Sequence, residues 1–367
     1  MHGQWRHEIT GDRPGQVIID LDDMGDHYEG YVFVIYDQAI PSILAQIITS
    51  DRSSVQRITA VVDLVNSANG MALDRAQVEQ AFPNQYPSTL TATLNLKSRA
   101  LHVQWETELG RGETIKFAKS EATKPSSVRP DRVIRTWAKF KQHCADLEPN
   151  KFIFRGQGGT WRLRTAFHRT GRRSFIRYRN FDLPELHRAL TGRTKHFFDL
   201  ADGDQFGAFL NLAQHHGFPT PLLDWSRSPF VAAFFAYRDA RLDINDDGPV
   251  RIFMFDQVSW RRDFRQLSNL MLQGPHISLL NPYAIENERA LPQQALSMVT
   301  NLDDVEGYIV SRMIQRETKY LTVIDLPYRE RLAALRELAM MGITSGSLFP
   351  GLDGACRELR ERLFDHA

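Results

Sequence analysis

Residues 213–237 read AQHHGFPTPLLDWSRSPFVAAFFAY, and the order of elements inside them decides how the second half of the chain folds. Gln214, His215 and His216 close a helical pattern that Gly217, Pro219 and Pro221 then break. Leu222 and Leu223 open a short apolar run that ends on Asp224 and Trp225. Ser228 suits a helix N-cap and Pro229 the first helical position, so the small and aromatic residues up to Tyr237 read as a buried helix. The stretch is therefore helix, turn, strand, turn, helix. An ordinary core element has no need of adjacent histidines, an acid between apolar neighbours and a proline-fixed turn so close together, which marks it as a candidate site.

Working outward, residues 186–212 continue the helical pattern upstream, with Phe197, Phe198, Leu200, Phe206, Phe209, Leu210 and Leu212 mostly on one face. Before it, KFIFRGQGG (residues 151–159) reads as a strand ending on Arg155 and Gly156. An arginine there puts a guanidinium at a sheet edge beside a backbone that a ligand can approach closely, which suits phosphate or carboxylate. The alternative is a guanidinium paired with an internal acid such as Asp224. Between them, WRLRTAFHRTGRRSFIRYRN (residues 161–180) is rich in arginine, whose ordinary meaning is a solvated face and whose other meaning is contact with a polyanion. Downstream, an acidic turn from Asp243 to Gly248 precedes a strand, VRIFMFD (residues 250–256). KYLTVIDLP (residues 319–327) reads as another, followed by an amphipathic helix over 328–341. In GITSGSLFPGLDG (residues 342–354), Thr344, Ser345, Ser347 and Asp353 are expected to cap and pack helices.

The first third differs in kind. QVIIDLDD, GYVFVIYD, SILAQIITS, QRITAVVDLV, STLTATLNLKS, RALHVQWETELG and ETIKFAKS follow one another between Gly15 and Ser120. Leu101, Val103 and Trp105 fall on one parity and His102, Gln104 and Glu106 on the other, as a half-buried antiparallel strand requires. These strands predict a small antiparallel β-barrel or sandwich, an accessory module for binding or oligomerisation. KSEATKPSSVRPDR (residues 119–132) has a linker's composition, placing a boundary between a β-rich domain at 1–125 and a mixed α+β domain at 126–367. After it, Val133, Trp137, Phe140 and Cys144 recur at helical spacing and would pack on the second domain.

Composition narrows the function classes. The chain carries 45 Lys+Arg against 44 Asp+Glu, so no net field steers it toward nucleic acid or a membrane. Cys144 and Cys356 lie far apart without a metal or redox spacing, so no metal site is expected and the chain reads as reduced and cytoplasmic. The polar N-terminus resembles no signal peptide, and no window reaches the ~18 apolar residues of a membrane span. The oligomeric state is not legible.

Three stretches carry a family resemblance. QHHGFPTPLLDWSRSPFVAAFFA (residues 214–236), RALPQQALS (residues 289–297) and GITSGSLFPGLDG are similar to blocks of the FRG domain, as is Phe154-Arg155-Gly156. The resemblance runs over residues 132–364. Ala295 and Ser297 stand where the family has glycine and an aromatic. A weaker similarity joins Arg155-Gly156, then Asp224-Trp225-Ser226 before an Ala/Phe-rich helix, then Gln293, to the ordered pattern of ADP-ribosyltransferases.

That resemblance implies NAD as substrate without a metal, and a protein or nucleic-acid target of the kind met in phage defence or toxins. Arg155, Asp224, Ser226 and Gln293 would be catalytic. Arg155, Gly156, Gln157, Gln214, His215 and Thr220 would bind NAD. Glutamine at 293 cannot carry the negative charge of the glutamate in that pattern. Either Asp224 takes over the anionic role or the domain binds nucleotide without turnover, and the alternative class is a non-catalytic nucleotide- or protein-binding module. Glu317, in QRETKYLT, is the other candidate acid, and His216 ranks behind His215.

Overall fold

The computed structural model describes residues 1–240, 248–267 and 274–364. The expected acidic turn at Asp243 to Gly248 lies almost wholly outside them. The N-terminal strands are β1 (Gly3–Ile9), β2 (Gly15–Asp23), β3 (Tyr28–Tyr36), β4 (Ser42–Ile48), β5 (Val55–Val65), β6 (Thr89–Lys97), β7 (Ala100–Thr107), β8 (Gly110–Arg111) and β9 (Ile115–Lys119). They run in the order β6-β5-β4-β3-β2-β1-β9-β7-β8, and β6 also pairs with β7, which closes the sheet into a barrel rather than a sandwich. Only the short β8 hangs outside the ring. The strand that completes closure is β1, in the N-terminal stretch that looked merely polar; it bonds β2 on one side and β9 on the other.

The second sheet comprises β10 (Phe152–Gln157), β11 (Leu222–Ser226), β12 (Pro249–Asp256), β13 (Ile277–Leu280), β14 (Ala295–Thr300) and β15 (Leu321–Pro327). Its order is β13-β14-β11-β10-β12-β15, every pair antiparallel. Alternation along the strands feeds two cores. Phe154, Ile252, Met254 and Ile324 pack with Trp137, Phe140, Phe234 and Tyr237 on one face. Ile153, Trp225, Phe253 and Phe255 pack with Trp260 and Ile309 on the other. Arg155 therefore sits in a central strand and not at the expected sheet edge. The predicted helix over residues 186–212 is two, Leu183–Thr191 and Gly203–His215, because Asp202 caps the second by accepting from Asp204 N and Gln205 N. Thr344 caps the Ser345–Leu348 helix as expected. No helix among the described residues is long and apolar enough to cross a membrane.

Barrel and sheet meet through buried charge. Asp22, 1% exposed, accepts from Arg172 Nε at 2.9 Å and from the backbone N–H groups of Arg173 and Ser174. Asp303 pairs with Arg164 at 2.8 Å and with Arg173 at 3.3 Å, and Asp304 takes Arg162. The arginine run is thus a seam rather than a solvated face. The segment of linker composition is pinned as well, by Ser127 N on the buried Glu306 and by Ser120 Oγ on Asp303.

Candidate active site

β10 and β11 are neighbours that part almost at once. Their register holds at one pair, Phe154↔Ser226, whereas β10 follows β12 from Phe152 to Gln157 and β11 follows β14 throughout. Gly156 explains the divergence from one side. A Cβ on it would lie 1.8 Å from the carbonyl oxygen of Ala232, so the helix Pro229–Arg238 packs directly on the strand's backbone. The helix takes the close approach on the side where a Cβ would stand, and Gly156 also lines the cavity beside it.

Arg155 bridges the opening. Its Nη1 donates to the main-chain oxygen of Asp224 at 2.6 Å, replacing a missing ladder bond, and it makes no ion pair with the Asp224 carboxylate among the described residues. Its Nε is buried without a partner. Burial pushes the guanidinium pKa down, while Asp224 and then Asp239 oppose the shift. The gap is a cavity of about 270 Å³ lined by Arg155, Gly156, Gln214, His215, Asp224, Ser226 and Gln293 among others.

Each wall has a local cause. Gln214, in the last turn of Gly203–His215, donates its Nε2 to Asp224 Oδ1 and accepts the hydroxyl of the buried Thr220 on its own oxygen. The relay orients the Asp224 carboxylate, and no described residue bonds its second oxygen. Ser226 Oγ donates to the carbonyl of Gln293 at 2.8 Å and accepts from Ser228 N at 3.0 Å, tying the start of the helix to the segment before β14. The Gln293 side chain donates to Leu348 O at 3.0 Å. Burial pushes the His215 pKa down against the pull of Asp224, which favours a neutral imidazole. Arg289 Nη1 holds the His215 carbonyl at 2.7 Å.

Two expected binding residues stand back from the cavity. Thr220 acts through Gln214, and Gln157 donates instead to Trp161 O at 2.7 Å. His216 caps its helix outside the lining, and Glu317 ends the helix Val305–Arg316 in a left-handed conformation, also away from it. Arg238, Arg289 and Phe349 are lining residues that the sequence reading gave no role. The guanidinium carbons of Arg238 and Arg289 lie 4.8 Å and 5.6 Å from the centre of the Phe349 ring. Arg238 ends a helix and Arg289 opens RALPQQALS, so a basic residue beside each block was the available signal.

The lining carries Arg155, Arg238 and Arg289 against Asp224 and Asp239, a surplus of positive charge, and no glutamate. Such a cavity can take an anionic ligand and set one carboxylate against it. Among the described residues, no His, Cys, Asp and Glu gather in a group able to hold a metal ion.

Comparison with curated proteins and with solved structures returns no match to the chain. The family model of the FRG domain matches residues 150–244, which leaves RALPQQALS and GITSGSLFPGLDG beyond its end. The matched segment includes β10, the helix bearing Gln214, β11 and the helix that packs on Gly156, so the two parted strands lie within the segment that matches the FRG domain.

Proposed function

We propose that the cleft binds NAD and that the chain is an ADP-ribosyltransferase or NAD glycohydrolase with Asp224 as its acid. The parting of β10 from β11 carries this reading, because it sets arginines and one oriented carboxylate around a single gap. Arg155, Arg238 and Arg289 match the charge of a pyrophosphate, and arginine forks suit its oxygens. Cleaving the nicotinamide–ribose bond builds positive charge on the ribose as nicotinamide leaves. The unbonded oxygen of Asp224 suits that charge, and Gln214 holds the carboxylate in place beforehand. Water would complete hydrolysis; a nucleophile on a protein or nucleic-acid target would complete transfer, in keeping with a toxin or phage-defence effector.

The test is release of nicotinamide from NAD by the full chain, followed by chromatography. Asp224→Asn should lower turnover by roughly 10²–10³-fold while NAD binding by calorimetry persists. Arg238→Ala should weaken binding without changing the fold. Unchanged release by Asp224→Asn would remove Asp224 from the chemistry.

A second reading, a nucleotide-binding module without turnover, is favoured by the absence of a lining glutamate and by the tether of Gln293 to Leu348 O. NAD binding that Arg155→Ala abolishes, with no nicotinamide released, would select it. No NAD binding at all would refute the first reading, and no binding of any nucleotide the second.

A further inference from the structure

The barrel is not filled evenly. At one end Met1, Trp5, Leu21 and Tyr28 are buried together, and Trp5 Nε1 donates to Met1 O at 2.8 Å. The rest of the interior holds a cavity of about 710 Å³. The cause is in the strands: inward positions such as Val32, Val34, Ile43, Val62, Ala92 and Val103 carry side chains too short to meet across the barrel. An eight-stranded barrel is just wide enough either to be packed by its own side chains or to hold one small ligand. A void walled by hydrocarbon forfeits packing contacts on every side. Its volume lies in the range of about 300–1,000 Å³ found for small-molecule sites.

The mouth is polar, with Arg13, Arg111 and Asp12 on its rim. Arg13, in the turn between β1 and β2, lines it and gives Nη2 to the neutral oxygen of Gln85. Among the described residues no carboxylate pairs with Arg13. Arg111 and Asp12 share the rim, and Arg111 is paired with Glu106 at 2.9 Å. The hydroxyl of Tyr86, a residue 4% exposed, is buried without a hydrogen-bond partner. It stands within electrostatic reach of Tyr36 and Arg13.

From the apolar cavity and the arginine at its mouth that pairs with no carboxylate, we propose that the barrel binds one aliphatic monocarboxylate, its chain inside and its head group on Arg13. This assignment is independent of what the cleft in the second sheet does. It makes the barrel a small-molecule receptor rather than a spacer.

The experiment titrates the full chain with cis-parinarate, a fluorescent polyene carboxylate, then displaces it with dodecanoate or dodecanol. Trp105 lines the cavity, so energy transfer from it reports occupancy. Saturable one-to-one binding is expected. Ala92→Phe and Val34→Phe, which fill the cavity from opposite parts of its wall, should each weaken it about tenfold or more while circular dichroism stays native. Arg13→Gln should weaken dodecanoate by about tenfold and leave dodecanol unchanged, the loss of a charged hydrogen bond. Absence of saturable binding overturns the proposal, as does unchanged affinity in a folded cavity-filling variant. If neither filling variant folds, Arg13→Gln decides alone. An equal effect on acid and alcohol, or none on either, refutes the site; a selective loss for the acid upholds it.

Discussion

Replacing Asp20 with asparagine isolates one charge in the seam between barrel and sheet. Asp20 is buried opposite Gln4, whose Nε2 donates to Asp20 Oδ1 at 3.0 Å and to Asn301 O at 2.9 Å, while Gln4 Oε1 accepts from Asp303 N at 3.0 Å. Burial above all, with Asp22 and Asp303 adding to it against Gln4 and Arg173, pushes its carboxyl up to about 8. A pKa raised above its unfolded value contributes stability that is fully present below the unfolded pKa. That contribution is lost as pH rises through the folded pKa.

His168 acts in the opposite sense. Burial holds its imidazole down to about 3 from the usual 6.5, so acid favours the unfolded chain and stability climbs with pH until about 6.5. Each group contributes a slope of about 1.4 kcal/mol per pH unit, and the slopes oppose each other where the windows overlap. Above pH 6.5 the imidazole no longer contributes and Asp20 should remove about 2 kcal/mol by pH 8, offset in part by the N-terminal amine of Met1, whose pKa burial pushes down from 8.0. Urea unfolding followed by far-UV circular dichroism between those values should show the wild-type midpoint falling relative to that of Asp20→Asn. Parallel declines, or a variant less stable than wild type at pH 8, would refute the assignment of the slope to Asp20.

Asp22→Ala strips the acceptor from Arg172 and from two backbone donors at the seam, and breaking a buried pair from one side should cost about 3–5 kcal/mol, read as a lower denaturation midpoint. Gly156→Ala places a methyl group 1.8 Å from the Ala232 carbonyl oxygen. The helix must then shift, at a cost of about 1–3 kcal/mol or more, and NAD binding should weaken with the thermal midpoint.

The legible parts of the fold are those where alternation and burial agree. β2 to β7 and β9 carry apolar residues on one parity, and β12 and β15 are bounded by acidic or proline breaks, so their existence follows from pattern alone. β1 escapes because GQWRHEI places only Trp5 and Ile9 as apolar inward positions. β13 and β14 escape because each carries a buried serine. Ser278 accepts from Leu267 N and Ser297 from Asn211 Nδ2, partners that only the tertiary fold supplies. The same limit governs the arginine run: Asp22, Asp303 and Asp304, its partners, are more than a hundred residues distant in sequence. In the site, Arg155, Gln214, His215, Asp224 and Gln293 stand out as polar groups at the ends of apolar runs. Arg238 and Phe349 do not, since one resembles an ordinary cation in a helix's last turn and the other an ordinary apolar residue after a capping turn.

What joins these observations is that packing makes the cleft. The absence of a side chain at Gly156 lets the helix Pro229–Arg238 sit on β10, while Ser226, bonded to both Ser228 and Gln293, holds β11 to β14. The two strands are drawn to different neighbours and separate beyond Phe154 and Ser226, leaving Arg155 to span the difference. Much of the cavity wall is regular structure, β10, β11 and the helices that carry Gln214 and Arg238, while Arg289, Gln293 and Phe349 reach it from turns. A ligand entering would meet a carboxylate already oriented by Gln214 and a guanidinium already committed to the main chain, so little of its binding free energy would go to ordering the site. By the same logic the cleft cannot be lost without disturbing the core, which is why Gly156→Ala should reduce binding and stability together, whereas Arg238→Ala, which leaves the parting of the strands untouched, should reduce binding more than stability.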